Sequence, residues 1–402
     1  MKKTFALVLA VCMILSLCAC SQQEQTSATP PADLPGQPSA ADPGKATTPE
    51  ESIQHIYDSV APLDSQTDLT IATLAGSHHA FVVFLMEKMG AYEKVGIKSE
   101  IVTFGNGPVQ MEALVSDSWD CGTTGLGGVL VGVSKYGAYI IGAAAQDRNS
   151  LRIFAKNDMD IVTEGATTEN NVYGTADAWK GQEILVTTGS TLHYTLAVGL
   201  KELGLELDAV KLTHMDVASV NTALLADQGN IGGVWGSYAY GETLNSRYTP
   251  VMNAKDLGLN ICVVLVANPN SYNNPAKYDA IQKYVEMYYK TIEWIYASEE
   301  NTRYAAELFT EINEENGVVG TVEENYTTLT NDTYYTLEDA YNMFHDKTTA
   351  ADGTEMTVIE EAHYGPLDFY VANGYYEPDT LSTLLQGNFK PDILDAVYSS
   401  RR

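Results

Sequence analysis

A serine, a threonine and a histidine stand together where an apolar, strand-like run gives way to a helical pattern. The stretch TTGSTLHYTLAVGLKELG places Ser190, Thr191 and His193 at the predicted start of this helix. The first N–H groups of a helix lack backbone partners and carry the positive end of the helix dipole, so hydroxyl residues there suit an anion. A serine or threonine at this position also caps a helix whatever the function. The pattern therefore predicts a helix cap, an anion site, or both.

Other small polar and aromatic residues follow apolar runs in the same way. Ser77 and His78 follow the first run, and His79 is a weaker candidate than His78. Hydroxyl residues before a glycine-rich turn either stabilise the turn or contact a ligand. An aromatic residue at a strand end either packs in the core or forms the apolar wall of a binding site. The further candidates for ligand contacts are Thr123, Thr124, Trp235, Ser237 and Tyr238.

The sequence contains none of the patterns that would indicate catalysis or a bound cofactor. Ser190 and His193 do not lie in a Gly-x-Ser-x-Gly elbow, and no glycine-rich stretch has the spacing of a phosphate loop or a dinucleotide fingerprint. No cysteine and histidine spacing typical of a metal site occurs. We therefore expect no enzyme activity, no metal and no cofactor.

The elements that must position these residues alternate between strands and helices. From Asp68 onward the apolar runs LTIATLA, EIVTF and AYIIGAAA are separated by helical stretches, which predicts parallel sheets covered on both faces. A second series begins at EILVTT, and DVASVNTALLADQGNIGGVWGS repeats the plan of GNGPVQMEALVSDSWDCGTTG. Two α/β lobes are expected, with the candidate residues around the cleft between them, because ligands bind beyond the carboxyl ends of the strands in such sheets.

The N-terminus has the features of an export signal. A basic start, Met1-Lys2-Lys3, precedes a short apolar run that ends in Leu17-Cys18-Ala19-Cys20. This ending resembles the lipobox of bacterial lipoproteins and would make Cys20 the lipidated residue; the alternative is an ordinary signal peptide cut elsewhere. The following stretch to about Gln66 is rich in Pro, Ala, Ser, Thr and Gln, which predicts a disordered tether.

The net charge limits the possible partners, and the positions of the cysteines limit the possible disulfides. The formal net charge is −29 among 402 residues, which argues against nucleic acid or an anionic membrane surface as a partner. Only Cys121 and Cys262 lie outside the N-terminal segment. Both fall in strand-like runs, so the sequence leaves open whether they pair or remain two buried thiols.

Taken together, residues 68–268 resemble the nitrate, sulfonate and taurine group of solute-binding proteins of ABC importers. The resemblance is carried by MEALVSDSWDCGTTGLGGVLVG in the first series and by WKGQEILVTTGSTLHYTLAVGLKELG with VASVNTALLADQGNIGGVWGSYAY in the second. It implies an α/β, two-lobed periplasmic-binding-protein type II fold, with a mostly parallel sheet in each lobe and two crossover strands. The polar insertion between Lys156 and Trp179 and the segment Asn230-Ile231-Gly232-Gly233 depart from the family pattern.

The expected organisation follows from this resemblance. Its segments are a lipoprotein signal (1–19), a tether (20–66), the first part of lobe 1 (67–155), lobe 2 (156–260), and a return strand with the completion of lobe 1 and C-terminal helices (261–402). The implied function is capture of a small anion such as a sulfonate, taurine or nitrate and its delivery to a permease and ATPase. The implied state is a monomer anchored by lipid to the outer face of the cell membrane.

Three alternatives remain open at the level of sequence. The solute could be a heterocyclic precursor of thiamine or riboflavin, in which case Trp235 and Tyr238 would form the site and Ser190 and Thr191 would be ordinary caps. The chain could be an enzyme resembling the proteins that make the thiamine pyrimidine, although an export signal counts against this. It could also be a lipoprotein adhesin or sensor built on the same two lobes.

Overall fold

The computed structural model describes residues 47–259 and 261–401. Its strands are β1 (Thr67–Leu74), β2 (Ile97–Phe104), β3 (Cys121–Thr124), β4 (Tyr139–Gln146), β5 (Arg152–Lys156), β6 (Glu183–Val186), β7 (Lys211–His214), β8 (Ile231–Val234), β9 (Tyr248–Asn253), β10 (Cys262–Ala267), β11 (Thr333–Tyr334), β12 (Lys347–Thr349) and β13 (Glu355–Thr357).

Its α-helices are α1 (Pro49–Asp58), α2 (His78–Lys88), α3 (Ala91–Lys94), α4 (Gly107–Glu112), α5 (Leu126–Val131), α6 (Asp160–Thr163), α7 (Ala176–Trp179), α8 (Thr191–Glu202), α9 (Val217–Leu225), α10 (Glu242–Arg247), α11 (Pro269–Tyr272), α12 (Pro275–Tyr296), α13 (Glu299–Glu315), α14 (Val322–Asn331), α15 (Leu337–His345), α16 (Val358–Ala372), α17 (Asp379–Leu384) and α18 (Asp392–Ser400). Short 3-10 helices cover Ala113–Ser116, Leu207–Ala209 and Gly236–Tyr240, and a π-helical turn covers Gly132–Tyr136.

Two sheets of the same plan form the two lobes. The sheet of lobe 1 has the strand order β2-β1-β3-β10-β4-β11, and that of lobe 2 has the order β7-β6-β8-β5-β9. In each sheet three neighbouring strands run parallel, and the strand beside them, β10 or β5, is antiparallel to both of its neighbours. The expected two-lobed α/β fold is therefore confirmed. All six residues of β10 are buried, which explains why its sequence is continuously apolar.

Two short connections join the lobes. The chain leaves lobe 1 at Gln146, where β4 ends, and enters lobe 2 at Arg152, where β5 begins; β10 brings it back after β9. The backbone N–H of Asp147 donates to the carbonyl of Ile261 at 3.0 Å, so the two connections lie side by side. Residues 152–156 pair with β8 and β9 and belong to lobe 2, a few residues earlier than the expected boundary at 155.

The expected tether is too long at its C-terminal end. Helix α1 begins inside the stretch predicted to be disordered, with Thr48 as a capping residue and with Ile53 and Tyr57 fully buried. The Tyr57 hydroxyl lies 2.9 Å from that of Thr291 on α12, and the indole of Trp294 donates to Ser52 at 2.7 Å. The apolar residues of this short segment were missed because they are few, yet they dock on α12. The expected signal peptide and Cys20 lie outside the described residues.

The polar insertion, the two cysteines and the tyrosines of α12 can also be compared with what the sequence predicted. The polar insertion between Lys156 and Trp179 contains the short helices α6 and α7 rather than wholly irregular chain. Cys121 and Cys262 are both free and buried, so of the two possibilities left open the unpaired one holds. The tyrosines of α12 pack in the core as expected, with Tyr284, Tyr288 and Tyr289 fully buried. In the described residues, no helix has both the length and the apolar character needed to span a membrane.

Candidate functional site

The cleft between the lobes lies beyond the carboxyl ends of β1, β3, β6 and β8. It encloses a cavity of about 20 Å³, which is room for about one water molecule. Five of the residues named from sequence or weighed there line it: Ser77, His79, Ser190, Thr191 and Trp235. The remaining lining residues are Leu74, Gly107, Pro108, Gly125, Gly127, Gly128 and Asp147.

Lobe 2 presents the start of helix α8 to this cavity. Gly189 adopts a φ of 72°, a left-handed conformation that favours glycine, and turns the chain into the helix. Ser190 is the N-cap: its hydroxyl accepts from the N–H of His193 at 3.4 Å and donates to the carbonyl of Thr187 at 2.6 Å. Thr191 is the first helical residue. The cap predicted from sequence is present, and the helix places the positive end of its dipole at the cleft.

Lobe 1 presents the start of helix α2. Ser77 occupies the N-cap position, but its hydroxyl donates to the carbonyl of Leu74 at 2.7 Å rather than capping the helix. His79, the weaker of the two histidine candidates, is the one that lines the cleft. Its Nδ1 lies 2.8 Å from the hydroxyl of Thr123, which lies 2.7 Å from that of Thr73. Burial, with a smaller contribution from His78, lowers the pKa of His79 well below its usual value, so this imidazole is neutral.

Four of the predicted residues lie behind or beside the cleft wall. Thr123 and Thr124 are fully buried, and the hydroxyl of Thr124 packs against Gly128. Ser237 belongs to a buried amide network, in which it donates to Asn325 at 3.0 Å. Tyr238 packs against Gly76 of lobe 1. Trp235 does line the cavity, and its buried indole N–H has no hydrogen-bond partner among the described residues.

His193 faces a second, larger cavity on the other side of the α8 start. This cavity measures about 650 Å³ and is lined by Tyr370, Tyr375 and Tyr376 together with residues of both lobes. The ring of His193 lies edge-on to Tyr375, with centroids 5.5 Å apart, and its Nδ1 accepts from the N–H of Gly189 at 3.2 Å. Burial lowers the pKa of His193 to about 4. We call this space the tyrosine pocket.

His78 lies beneath the cleft in a cluster that the sequence did not reveal. One ligand atom each from His78, Asp147 and Asp332 lies within 4.8 Å of the others, and all three residues are buried. Burial raises the pKa of Asp147 above its usual value, and burial together with the charge of Asp147 raises the pKa of Asp332. Burial lowers the pKa of His78 to about 3. The three residues are far apart in sequence, so no spacing rule could have linked them.

The two lobes touch directly around the cavity. A β-carbon on Gly127 of lobe 1 would overlap the carbonyl oxygen of Gly189 in lobe 2, and one on Gly236 of lobe 2 would overlap that of Gly76 in lobe 1. Glycine at these positions allows the backbones to approach within van der Waals contact. The arrangement is therefore a closed cleft, and a solute larger than water needs the lobes to separate before it can enter.

Comparison with known proteins agrees with this architecture. A sequence model of the NMT1-like family matches residues 64–310, which is more than half of the chain. The chain belongs to the NMT1-like family. The matched segment of this family member spans β1 to β10 and most of α13, so it includes His78 and Asp147, while Asp332 and the Tyr370 side of the tyrosine pocket lie beyond it.

Relatives of this NMT1-like protein include transporter binding proteins. A Brachyspira hyodysenteriae protein named as an ABC transporter periplasmic binding protein is 29% identical over 136 residues, which are 33% of this chain and 39% of that relative. The alkanesulfonate-binding protein SsuA from Xanthomonas axonopodis pv. citri, solved with MOPS, has a TM-score of 0.58 at 16% identity, covering 78% of this chain and 95% of that one. The nitrate-binding protein NrtA from Synechocystis PCC 6803 has a TM-score of 0.63 at 13% identity, covering 85% and 90%. At these identities the solved structures establish the fold.

Proposed function

We propose that this protein is the extracytoplasmic solute-binding component of an ABC importer and that it captures a small anion, such as a sulfonate, taurine or nitrate. The observation that carries the proposal is the meeting of two helix starts, α2 and α8, across one closed cleft. Each supplies N–H groups without helical partners, and Thr191 adds a hydroxyl. The hydroxyls of Ser77 and Ser190 would have to turn away from the carbonyls of Leu74 and Thr187 to donate to a solute. The bound solute would hold the lobes together, and a permease would read that closed form.

The charge of the cleft sets how such an anion would be held. Among the described residues that line the cavity, Asp147 alone carries a formally charged side chain. Backbone N–H groups, hydroxyls and the neutral His79 would therefore make the contacts, without lysine or arginine. Such contacts are directional, which favours a compact oxyanion over a large, diffuse one.

The arrangement of Ser190 and His193 supports binding rather than catalysis. The Ser190 hydroxyl accepts from the backbone N–H of His193, while the His193 ring accepts from the Gly189 N–H and turns toward the tyrosine pocket. A nucleophilic serine needs a hydrogen bond to an imidazole nitrogen. These two residues form no such pair in this conformation.

A second candidate solute is a heterocycle, and the tyrosine pocket favours it. The pocket has the volume usual for small-molecule sites and presents tyrosine rings beside His193. A thiamine or riboflavin precursor could stack there. The importer role would then stand, with Ser190 and Thr191 acting as helix caps only.

The proposed location follows from the N-terminal sequence. Lipidation of Cys20 would anchor a monomeric protein to the outer face of the cell membrane, where it would meet the permease and ATPase subunits of its importer. A basic patch for nucleic acid is not expected at a net charge of −29.

Thermal unfolding of the purified full-length chain against a solute panel tests the proposal. The panel contains alkanesulfonates, taurine, nitrate, bicarbonate, carboxylates, and thiamine and riboflavin precursors. A solute at about a hundredfold excess over its Kd adds about 2.7 kcal/mol to the free energy of unfolding. Stabilisation by a small anion supports anion capture, and stabilisation only by a heterocycle supports the second candidate. Stabilisation by none of them would overturn both.

A further inference from the structure

The cluster of His78, Asp147 and Asp332 is built on three elements that converge at the junction of the lobes. His78 is the first residue of α2, and Asp147 directly follows β4 where the chain leaves lobe 1. Strand β11 pairs antiparallel with β4 so that Thr333 faces Gln146, which brings Asp332 to Asp147. The register of β4 and β11 therefore fixes the juxtaposition of Asp147 and Asp332.

The atoms that would bind an ion are oriented and available. In the part of the chain that the structure describes, the buried Nε2 of His78 and Oδ2 of Asp332 have no hydrogen-bond partner. Ser150 donates hydrogen bonds to both carboxyl groups. Its hydroxyl donates to Asp147 at 2.8 Å, and its N–H donates to Oδ1 of Asp332 at 3.3 Å. The ring of His78 is packed edge-on against Tyr334, with centroids 5.2 Å apart. Hydrogen bonds of this kind orient metal ligands in known sites.

The neighbouring positive charge does not neutralise the two carboxylates directly. The guanidinium of Arg152 donates to the carbonyls of Asn149 and Ala239 and lies 4.7 Å from the ring centroid of Tyr240. Among the described residues no lysine or arginine forms an ion pair with Asp147 or Asp332. Two buried carboxyl groups beside an imidazole nitrogen that has no hydrogen-bond partner are costly to bury as charges unless an ion or a shared proton compensates them.

From this geometry we infer that His78, Asp147 and Asp332 bind one divalent transition-metal ion, with Zn²⁺ the best match. One imidazole nitrogen and two carboxylate oxygens are ligands that Zn²⁺ accepts, at about 2.0–2.2 Å. Two ligands of one tetrahedral ion lie roughly 3.3–3.6 Å apart, so the present separations within 4.8 Å need only small side-chain rotations. Three protein ligands leave a fourth position open.

The ion would complete the proposed solute site. Asp147 lines the cleft, so an ion held by this cluster would lie next to the proposed solute site. A bound cation there supplies the positive charge that the cleft lining lacks and turns an unfavourable carboxylate into part of an anion site. This role rests on the proposed function, whereas binding of the ion does not.

Calorimetric titration of the metal-stripped full-length chain with Zn²⁺, in the absence of any solute and of a histidine tag, tests the site. We expect one ion per chain, and Co²⁺ in place of Zn²⁺ should give visible absorption bands of a low-coordinate site. Asp332→Asn and His78→Gln should each weaken Zn²⁺ binding at least about 100-fold. His363→Gln is the matched control: His363 is also buried with a free Nε2, but it belongs to no such cluster, and this variant should bind Zn²⁺ like the wild type.

Two results would overturn the inference. One is the absence of one-to-one binding by the wild type, and the other is unchanged Zn²⁺ affinity in Asp332→Asn; either would mean that the carboxyl pair is compensated by a shared proton. The wild-type titration and Co²⁺ spectrum remain decisive if a variant does not fold. Repeating the solute panel with and without Zn²⁺ separates the two proposals. Zn²⁺ binding without anion binding would support the ion site and contradict anion capture. Anion binding without Zn²⁺ binding would support anion capture and contradict the ion site.

Discussion

Gly127 in lobe 1 packs directly against the backbone of Gly189 in lobe 2, with no room between them for a side chain. Gly189 is the turn that starts α8, and Gly127 lies in α5, which follows β3. The contact therefore joins a binding element of one lobe to a helix of the other. The contact crosses the closed cleft, so a side chain at Gly127 would oppose closure while adding only a methyl group to the cavity lining.

Gly127→Ala should disfavour the closed cleft. The added methyl overlaps the Gly189 carbonyl, and overpacking of this kind costs about 1–3 kcal/mol, which corresponds to a loss of solute affinity of roughly fivefold to 140-fold. Alanine is a better helix former than glycine, so the solute-free protein should be no less stable in urea. Solute affinity and the radius of gyration in solution would be measured for both proteins.

Gly105→Ala is the control for this substitution. Gly105 also faces lobe 2, but a β-carbon there would lie 3.7 Å from that of Asp216, an ordinary contact. The solute affinity of the Gly105→Ala variant should match that of the wild type. If Gly127→Ala bound solute as tightly as Gly105→Ala, the closed arrangement would not be the solute-binding form.

Replacing Ser190 and Thr191 together by alanine should remove the stabilisation given by an anionic solute. Loss of the Ser190 cap should cost about 1 kcal/mol without solute, because the N–H of His193 loses its acceptor, but the fold should persist. Solute-dependent thermal unfolding separates the two effects.

Ser298→Ala supplies the comparison for the lost cap. Ser298 caps α13 by accepting from the N–H of Asn301 at 3.1 Å and does not line the cleft. The Ser298→Ala variant should lose a similar amount of stability, and the solute should stabilise it as much as it stabilises the wild type. Equal solute stabilisation of the Ser190/Thr191 double variant and the wild type would exclude these residues from the site.

The sequence predicted the architecture well because its signals are local and repeated. Apolar runs such as β4 and β10 are bounded by helical stretches, and the two lobes repeat one plan, so a few consistent patterns determine the fold. Helix α1 and strand β11 were missed for a physical reason. Each is short, and each is stabilised by what it docks on: α1 by Trp294 and Thr291, β11 by pairing with β4.

The cleft lining was predictable where it depends on helix starts and strand ends. Ser77, Ser190 and Thr191 could be found because they follow strands and open helices. The choice between His78 and His79 could not, because which adjacent imidazole faces the cleft depends on the packing of α2. Asp147 and Asp332 come together through the register of β4 and β11, which leaves no trace in spacing.

Cys20→Ala should release the protein from the membrane fraction. Without the thiol no lipid can be attached, and once the apolar leader is removed the remaining chain is strongly acidic. Fractionation of cells that express each form, with detection of the protein in the membrane and soluble fractions, measures this. Retention of the variant in the membrane would mean that the chain is held by some means other than a lipid on Cys20.

His363 should make the fold less stable as the pH falls. Burial lowers its pKa to about 4, and the backbone of Ile359 and Cys262 acts in the opposite direction. In the unfolded chain a histidine titrates near 6.5, so between pH 6.5 and 4 unfolding takes up a proton and the free energy of unfolding decreases as the pH decreases. At pH 5 the contribution of this one residue is a loss of about 2 kcal/mol relative to pH 7.

His363→Gln removes this titration while keeping a polar side chain beside the Ile359 carbonyl, to which the His363 Nδ1 lies 2.8 Å away. Urea unfolding gives the free energy of unfolding of both proteins at pH 7 and at pH 5. The decrease between the two pH values should be smaller in the variant than in the wild type by about 2 kcal/mol. His55→Gln, at an exposed position on α1, controls for the loss of a histidine as such. Because each protein is compared with itself, any stability that the variant loses at pH 7 cancels. An identical pH dependence in His363→Gln and the wild type would show that the imidazole is protonated or exposed in the folded protein, contrary to its position under Phe389 in the core.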